Sequence, residues 1–222
     1  MNFRIDSPMS WGAWTLLVVS FLNAIWCAIH IKELVPDWDW KFKFIEDALD
    51  FFKSQQKTIA WAMMLLAVIL GIYTGILLSA FNARPLWNTS ILGPLFLASG
   101  LSAGAAMLMW ISKNHSERLI YSRLDLIIIG IELFLIIHMF MGFRASTQVQ
   151  IDAANLFLGG HWTIPFWTFV VVIGMIIPAI LEILELRGKK IPVYIPALLV
   201  LFGSAMLRFI IAFAGQESRW LY

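Results

Sequence analysis

An all-α bundle of about six membrane-spanning helices is the fold class this chain predicts, on three observations. Six predominantly apolar runs fill most of its 222 residues, at 9–31, 58–81, 91–112, 119–143, 162–186 and 191–214. At about 1.5 Å of rise per residue, helices of this length cross a hydrocarbon core of roughly 30 Å with some tilt. The composition agrees, with 60% hydrophobic and only 14% charged residues and a mean hydropathy of +0.81. The runs are also apolar on every side. A soluble helix would be interrupted about every four residues to make a wet face, and a barrel strand would alternate apolar and polar positions over about ten residues.

The first run follows Arg4 and is longer than the apolar segment of a signal peptide, roughly 7 to 15 residues; bulky Trp26 stands directly before Cys27. It is therefore expected to span. Cys27 is the single cysteine, so this polypeptide alone can build neither an internal disulfide nor an all-cysteine iron-sulfur site. Pro36 and Asp37 then offer a turn and a helix cap. In the loop 33–57, Phe42, Ile45, Leu49 and Phe52 recur at intervals of three or four, opposite Lys43, Glu46, Asp47, Asp50 and Lys53. That pattern predicts an amphipathic helix lying on the membrane surface. In the second and third runs, Gly71 with Gly75 and Gly100 with Gly104 form spacings that let helix backbones approach closely in lipid.

Counted over alternate loops, Lys and Arg divide 11 against 5. Positively charged short loops are retained in the cytoplasm, so the loops holding Lys32 to Lys57, Lys113 to Arg123 and Arg187 to Lys190 are expected inside. Both termini and the loops 82–90 and 144–161 are expected outside. This distribution accounts for the net charge of +2 without a nucleic-acid partner.

Polar groups within the hydrocarbon are costly, about 2.5 to 3.5 kcal/mol for a central charge, so each needs a reason. Tyr73, His138 and Arg208 lie toward the outer side, at depths near Arg84, Trp87, Asn88 and His161. Asp125, Glu182 and Glu185 lie toward the inner side, with Glu132 near the middle. Asp125 and Glu132 are seven residues apart, about 700° of helical rotation, which places both on nearly one face roughly 10 Å apart along the axis. They form a candidate proton route, with an interhelical hydrogen bond as the structural alternative. Glu182 and Glu185 precede the basic loop Arg187 to Lys190 and are expected to make ion pairs at the interface. Arg208 is expected to face the interior, where a carbonyl, a carboxylate or a ligand oxygen would stabilise it. His30, His115, His138 and His161 do not form a pair at one intramembrane level, so no haem is expected.

Four stretches carry a family resemblance: Ser7-Pro8-Met9-Ser10-Trp11-Gly12-Ala13-Trp14; Tyr73-Thr74-Gly75 continuing to Arg84-Pro85-Leu86-Trp87-Asn88; Phe96 to Ala106 with Ser99-Gly100 and Gly104; and Leu207-Arg208-Phe209 leading to Ala214-Gly215-Gln216. In combination they resemble the polysulfide reductase membrane-subunit family, also called NrfD-like. The resemblance implies a subunit in the cytoplasmic membrane of a prokaryote that handles quinone or quinol. Such a subunit exchanges electrons with an iron-sulfur partner, commonly joined to a molybdopterin catalytic subunit, and carries no haem itself. It also implies that the tyrosine of the Tyr-x-Gly segment, here Tyr73, contacts the quinone ring. Family members generally begin with about two more helices, which in one branch carry an asparagine, a histidine and an acidic residue of the quinone pocket. Those partners have no counterpart here. A shortened product, half of a split protein, or a fragment completed by another chain would each account for this.

These readings give a candidate quinone site of Tyr73, Arg208, His138 and His161, with a histidine relaying a proton. They give a proton path at Asp125 and Glu132, and a surface for the iron-sulfur partner at Arg84, Trp87 and Asn88. The alternatives are a redox-coupled proton-translocating module and a passive anchor without a complete quinone site.

Overall fold

The computed structural model describes residues 7–35 and 43–219. Pro36, Asp37 and Phe42, to which the sequence assigned a turn, a cap and an apolar contact, lie outside the described residues, as does Arg4. Among the described residues, six helices are long and apolar enough to span a membrane: α1, Pro8–Leu34; α3, Gln56–Ser79; α4, Leu92–Ile111; α5, His115–Arg144; α7, Thr163–Leu186; and α8, Tyr194–Glu217. Two shorter helices accompany them, α2 at Lys43–Ser54 and α6 at Gln148–Asn155. The chain is an all-helical multi-pass membrane protein.

The helix ends differ from the apolar runs where polar chemistry intervenes. α5 begins at His115 because the Asn114 side chain accepts a hydrogen bond from the Ser116 N–H at 3.2 Å and caps the first turn. α8 starts only at Tyr194, past Pro192, and runs on to Glu217. Within α7, the stretch Phe166–Ile176 is wound as a π-helix, starting directly after Pro165 and ending two residues before Pro178. π-winding of this length is rare, and nothing in the bare apolar pattern announced it.

The chain divides into two compact units, residues 1–74 and 75–222. In the first, α1 and α3 meet near both ends. At one end the ring of Tyr73 lies directly on the backbone of buried Gly12. At the other, Gln56 Nε2 donates to His30 Nε2 at 2.9 Å while His30 Nδ1 donates to the Trp26 carbonyl at 2.9 Å. Both nitrogens of His30 are thereby used. The expected amphipathic helix is present as α2; Asp47 and Asp50 are exposed, and Leu49 and Phe52 half-buried.

In the second unit, α4, α5, α7 and α8 enclose the main core. Phe140 gathers the rings of Phe157, Phe166 and Trp167 within about 6 Å, and Trp167 Nε1 donates to the Phe157 carbonyl at 2.9 Å. α7 and α8 cross at Gly174 and Gly203, where a Cβ on either would run into the other's Cα. Gly75 is just as tight against the backbone of Leu92 and Gly93, as its spacing suggested. Gly100 and Gly104 do not make the expected helix contact. Gly104 faces open space, and what lies over Gly100 is the guanidinium of Arg208, 3.4 Å from where a Cβ would stand.

Because only backbone can yield at the crossing of α7 and α8, Gly203→Ala is expected to cost about 1 to 3 kcal/mol, the range for an overpacked core. Thermal unfolding in detergent should show a lowered Tm for Gly203→Ala and an unchanged Tm for Gly104→Ala. Equal Tm values for the two variants would mean that the helices do not approach so closely.

Candidate functional site

A seam of polar side chains runs through the interior of the second unit, between helices whose other inward positions are apolar. Ser99 and Ser102, three residues apart, share one face of α4; Ser122, Asp125 and Glu132 share one face of α5; Glu182 and Glu185 share one face of α7. All seven are buried. α8 adds Ser204 and Arg208, four residues apart.

Toward one end, Arg208 is held almost entirely by backbone and hydroxyl oxygens. Its Nη1 donates to the Ser204 carbonyl at 3.0 Å and to the Ser204 hydroxyl at 2.5 Å, and its Nη2 donates to the Phe96 carbonyl at 3.0 Å. Its guanidinium carbon stands 5.6 Å from the centre of the Phe96 ring, close enough for a cation–π contribution. Ser99 and Ser204 bridge α4 to α8, the Ser99 hydroxyl donating to Ser204 Oγ at 2.9 Å and the Ser204 hydroxyl to the Ser99 carbonyl at 3.2 Å. Arg208 therefore faces the bundle interior, as its cost in lipid required. Glu132 interacts electrostatically with Arg208 and sits close to Ser99.

Further along, the Ser102 hydroxyl donates to Asp125 Oδ1 at 2.6 Å. Glu182 faces Asp125 near enough to interact with it, yet both Glu182 oxygens and Asp125 Oδ2 lack a hydrogen-bond partner among the described residues. Glu132 Oε1, Glu185 Oε2 and the Ser122 hydroxyl share that condition. Buried polar atoms without partners are rare in folded proteins, and here they are concentrated on the facing sides of α5 and α7. Glu182 departs from expectation: it is fully buried against Asp125 and makes no ion pair with the basic loop. Glu185 does stand near charge, close to His115 and Arg118.

The candidate quinone residues are distributed differently. Tyr73, in the first unit, is half-buried against Gly12, and its hydroxyl has no hydrogen-bond partner among the described residues. In the second unit, His138 lies on the exposed side of α5, stacked on Phe134 with centroids 5.8 Å apart. It is six residues beyond Glu132, about 600° of rotation, and so on another face. His161 is exposed and its Nε2 lies 2.6 Å from Glu217 Oε2, which also accepts from Trp162 Nε1 at 3.0 Å. Neither histidine meets Arg208, so the structure does not gather these three into one pocket.

The loop expected to receive a partner is fastened to α8. Trp87 is buried, its indole N–H donating to the Ile211 carbonyl at 2.9 Å and its ring filling the space that Gly215 leaves. A residue so enclosed is not a surface contact; it anchors the loop to α8. Arg84 donates to the carbonyls of Gln216 and Ser218. Asn88 keeps its side chain exposed, while its carbonyl accepts from Gln150 Nε2 at 3.1 Å. Sequence reasoning missed this role and the burial of Glu182, although the three-residue spacings of Ser99 with Ser102 and of Glu182 with Glu185 were there to be read as inward faces.

Comparison with known proteins places this architecture. The chain is 32% identical over 97% of its length to Protein NrfD of Escherichia coli, covering 72% of that protein. It is 29% identical to the Protein NrfD homolog of Haemophilus influenzae, over 97% of the chain and 71% of the relative. With the C chain of the polysulfide reductase of Wolinella succinogenes it shares 34% identity, over 96% of its own length and 71% of the relative. No solved structure matches it. The family described as polysulphide reductase, NrfD matches residues 1–218, and with these relatives it establishes that the chain belongs to that family of membrane subunits of respiratory oxidoreductases.

Proposed function

We propose that this chain is the quinone-interacting membrane subunit of a respiratory oxidoreductase, exchanging electrons with an iron-sulfur subunit. The observation that carries this reading is the seat of Tyr73. Two separate family-like stretches, the Tyr-x-Gly segment and the Trp-Gly-Ala-Trp segment, meet where the tyrosine ring rests on Gly12, leaving a phenolic hydroxyl with no protein partner among the described residues. A phenol so placed can donate to a quinone oxygen. Quinol gives up two electrons and two protons; Tyr73 would align the ring, while the electrons pass to the partner. Arg84 and Asn88 remain the partner-facing candidates, now without Trp87, on a loop that Trp87 holds rigid. By the charge of the loops, this surface lies outside the cytoplasm.

Tyr73→Phe is expected to lower quinol turnover by the intact complex roughly 10- to 100-fold, the loss typical of one hydrogen bond of about 1.5 to 3 kcal/mol to a charged or developing-charge group. Gly12→Val, which drives a side chain into the ring, should lower it as well. Full turnover by both variants would remove Tyr73 from the mechanism.

A second reading is favoured by the polar seam. Arg208, Glu132, Asp125, Glu182 and Glu185 form a file of groups through the helix bundle, and a proton held between Asp125 and Glu182 would satisfy an oxygen of each. A file of this kind can carry protons between the membrane faces while electrons pass at Tyr73. In liposomes holding the complex, Glu132→Gln and Glu182→Gln should each reduce the protons taken up per electron and leave electron transfer in place. An unaltered ratio in both variants would make the seam structural.

A further inference from the structure

At the end of the bundle remote from Arg208, a cavity of about 360 Å³ opens between the start of α5 and the turn joining α7 to α8. His115 and Arg118 line it from α5, Glu185 from the end of α7, and Lys189, Lys190 and Ile191 from the turn. Three permanently charged cations thus face one carboxylate, and the N-terminus of α5 adds the partial positive charge of its unpaired N–H groups.

The cations are not merely strung along a loose loop. Gly188 adopts a left-handed conformation, φ +88°, its N–H donating to the Glu185 carbonyl at 2.9 Å and the next N–H, of Lys189, donating to the Leu184 carbonyl at 3.0 Å. This double cap closes α7 and sets where the two lysines begin. Arg118 is held by its Nε, which donates to the Ser112 carbonyl at 2.7 Å, leaving the other guanidinium nitrogens for a ligand. Exposed Tyr194, Ile195 and Leu198 follow the cavity-lining Ile191 and Val193 directly in sequence, on the first turns of α8.

We infer that this cavity binds a phosphate group at the membrane surface, and that the apolar strip beginning at Tyr194 selects the phosphodiester of an anionic phospholipid. Basic pockets between membrane helices bind such head groups, and here the cations lie at the helix ends, the depth at which head groups stand. Glu185 balances part of the charge through His115 and Arg118, which favours a singly charged phosphodiester. The inference is independent of any quinone site.

The test follows the Tm of the purified full chain in detergent, titrated with phosphatidylglycerol, with phosphatidylcholine, or with inorganic phosphate. Phosphatidylglycerol should raise the Tm saturably and phosphatidylcholine should not. Lys189→Gln combined with Lys190→Gln should raise the lipid concentration for half the effect about tenfold or more, at roughly 1 kcal/mol per basic residue. Lys53→Gln combined with Lys57→Gln, an equal loss of charge elsewhere, should leave it unchanged. A comparable rise with inorganic phosphate, lost in the Lys189 and Lys190 variant, would keep the phosphate site and assign it to a soluble ligand. Equal loss in both double variants, or no rise with either phosphate source, would overturn the site. Should the double glutamine variant fold poorly, Lys189→Arg with Lys190→Arg must retain the wild-type response for the inference to stand.

Discussion

Lipid cannot hydrogen-bond, and that constraint shapes every part of this molecule. With no water to receive them, backbone N–H and C=O groups must be satisfied within each spanning segment, which leaves helices as the form these apolar runs can take. Polar side chains meet the same demand. Those buried in the second unit either find an oxygen or nitrogen on their own or a neighbouring segment or join the one line where such groups collect. Arg208 shows the first outcome: two backbone carbonyls and a serine hydroxyl receive its guanidinium, and the face of Phe96 covers it. Asp125 and Glu182 show the second.

The glycine contacts and the seam are connected. Association of helices in lipid depends on close packing and interhelical hydrogen bonds more than on any hydrophobic drive. Gly174 and Gly203 bring α7 and α8 into backbone contact, while Ser99 and Ser204 join α4 to α8 by reciprocal hydrogen bonds. The groups that hold the helices together thus also lie beside the buried polar seam. At the ends of the bundle the solution changes. Arg84, Trp87, Gln150 and Trp162 use ordinary side-chain hydrogen bonds to pin the loops and the end of α8 to one another.

How much of the site was legible varies by residue. Arg208 could be placed inward because its charge has no tolerable alternative at that depth. Asp125 and Glu132 could be placed on one face because seven residues bring a helix round to nearly the same side. Glu182 could not be told from Glu185 by proximity to the basic loop, since three residues separate a carboxylate buried opposite Asp125 from one at a cation-lined cavity. Trp87 looked like a surface residue because it lies in a polar loop. Its burial depends on Gly215, more than a hundred residues away along the polypeptide.

By itself, the sequence determined the solvent, the number of spans, the approximate helix limits and the presence of an amphipathic segment, because these follow from local hydropathy and periodicity. It also carried the family, through stretches distributed from one end to the other. Tertiary structure alone decided which polar residues meet, which glycines mark a helix crossing, where α7 winds as a π-helix, and that Tyr73 rests on Gly12. Those outcomes depend on the partner that each helix face finds, and in a bundle whose faces are nearly all apolar, hydropathy cannot choose between partners; volume and hydrogen-bonding geometry must.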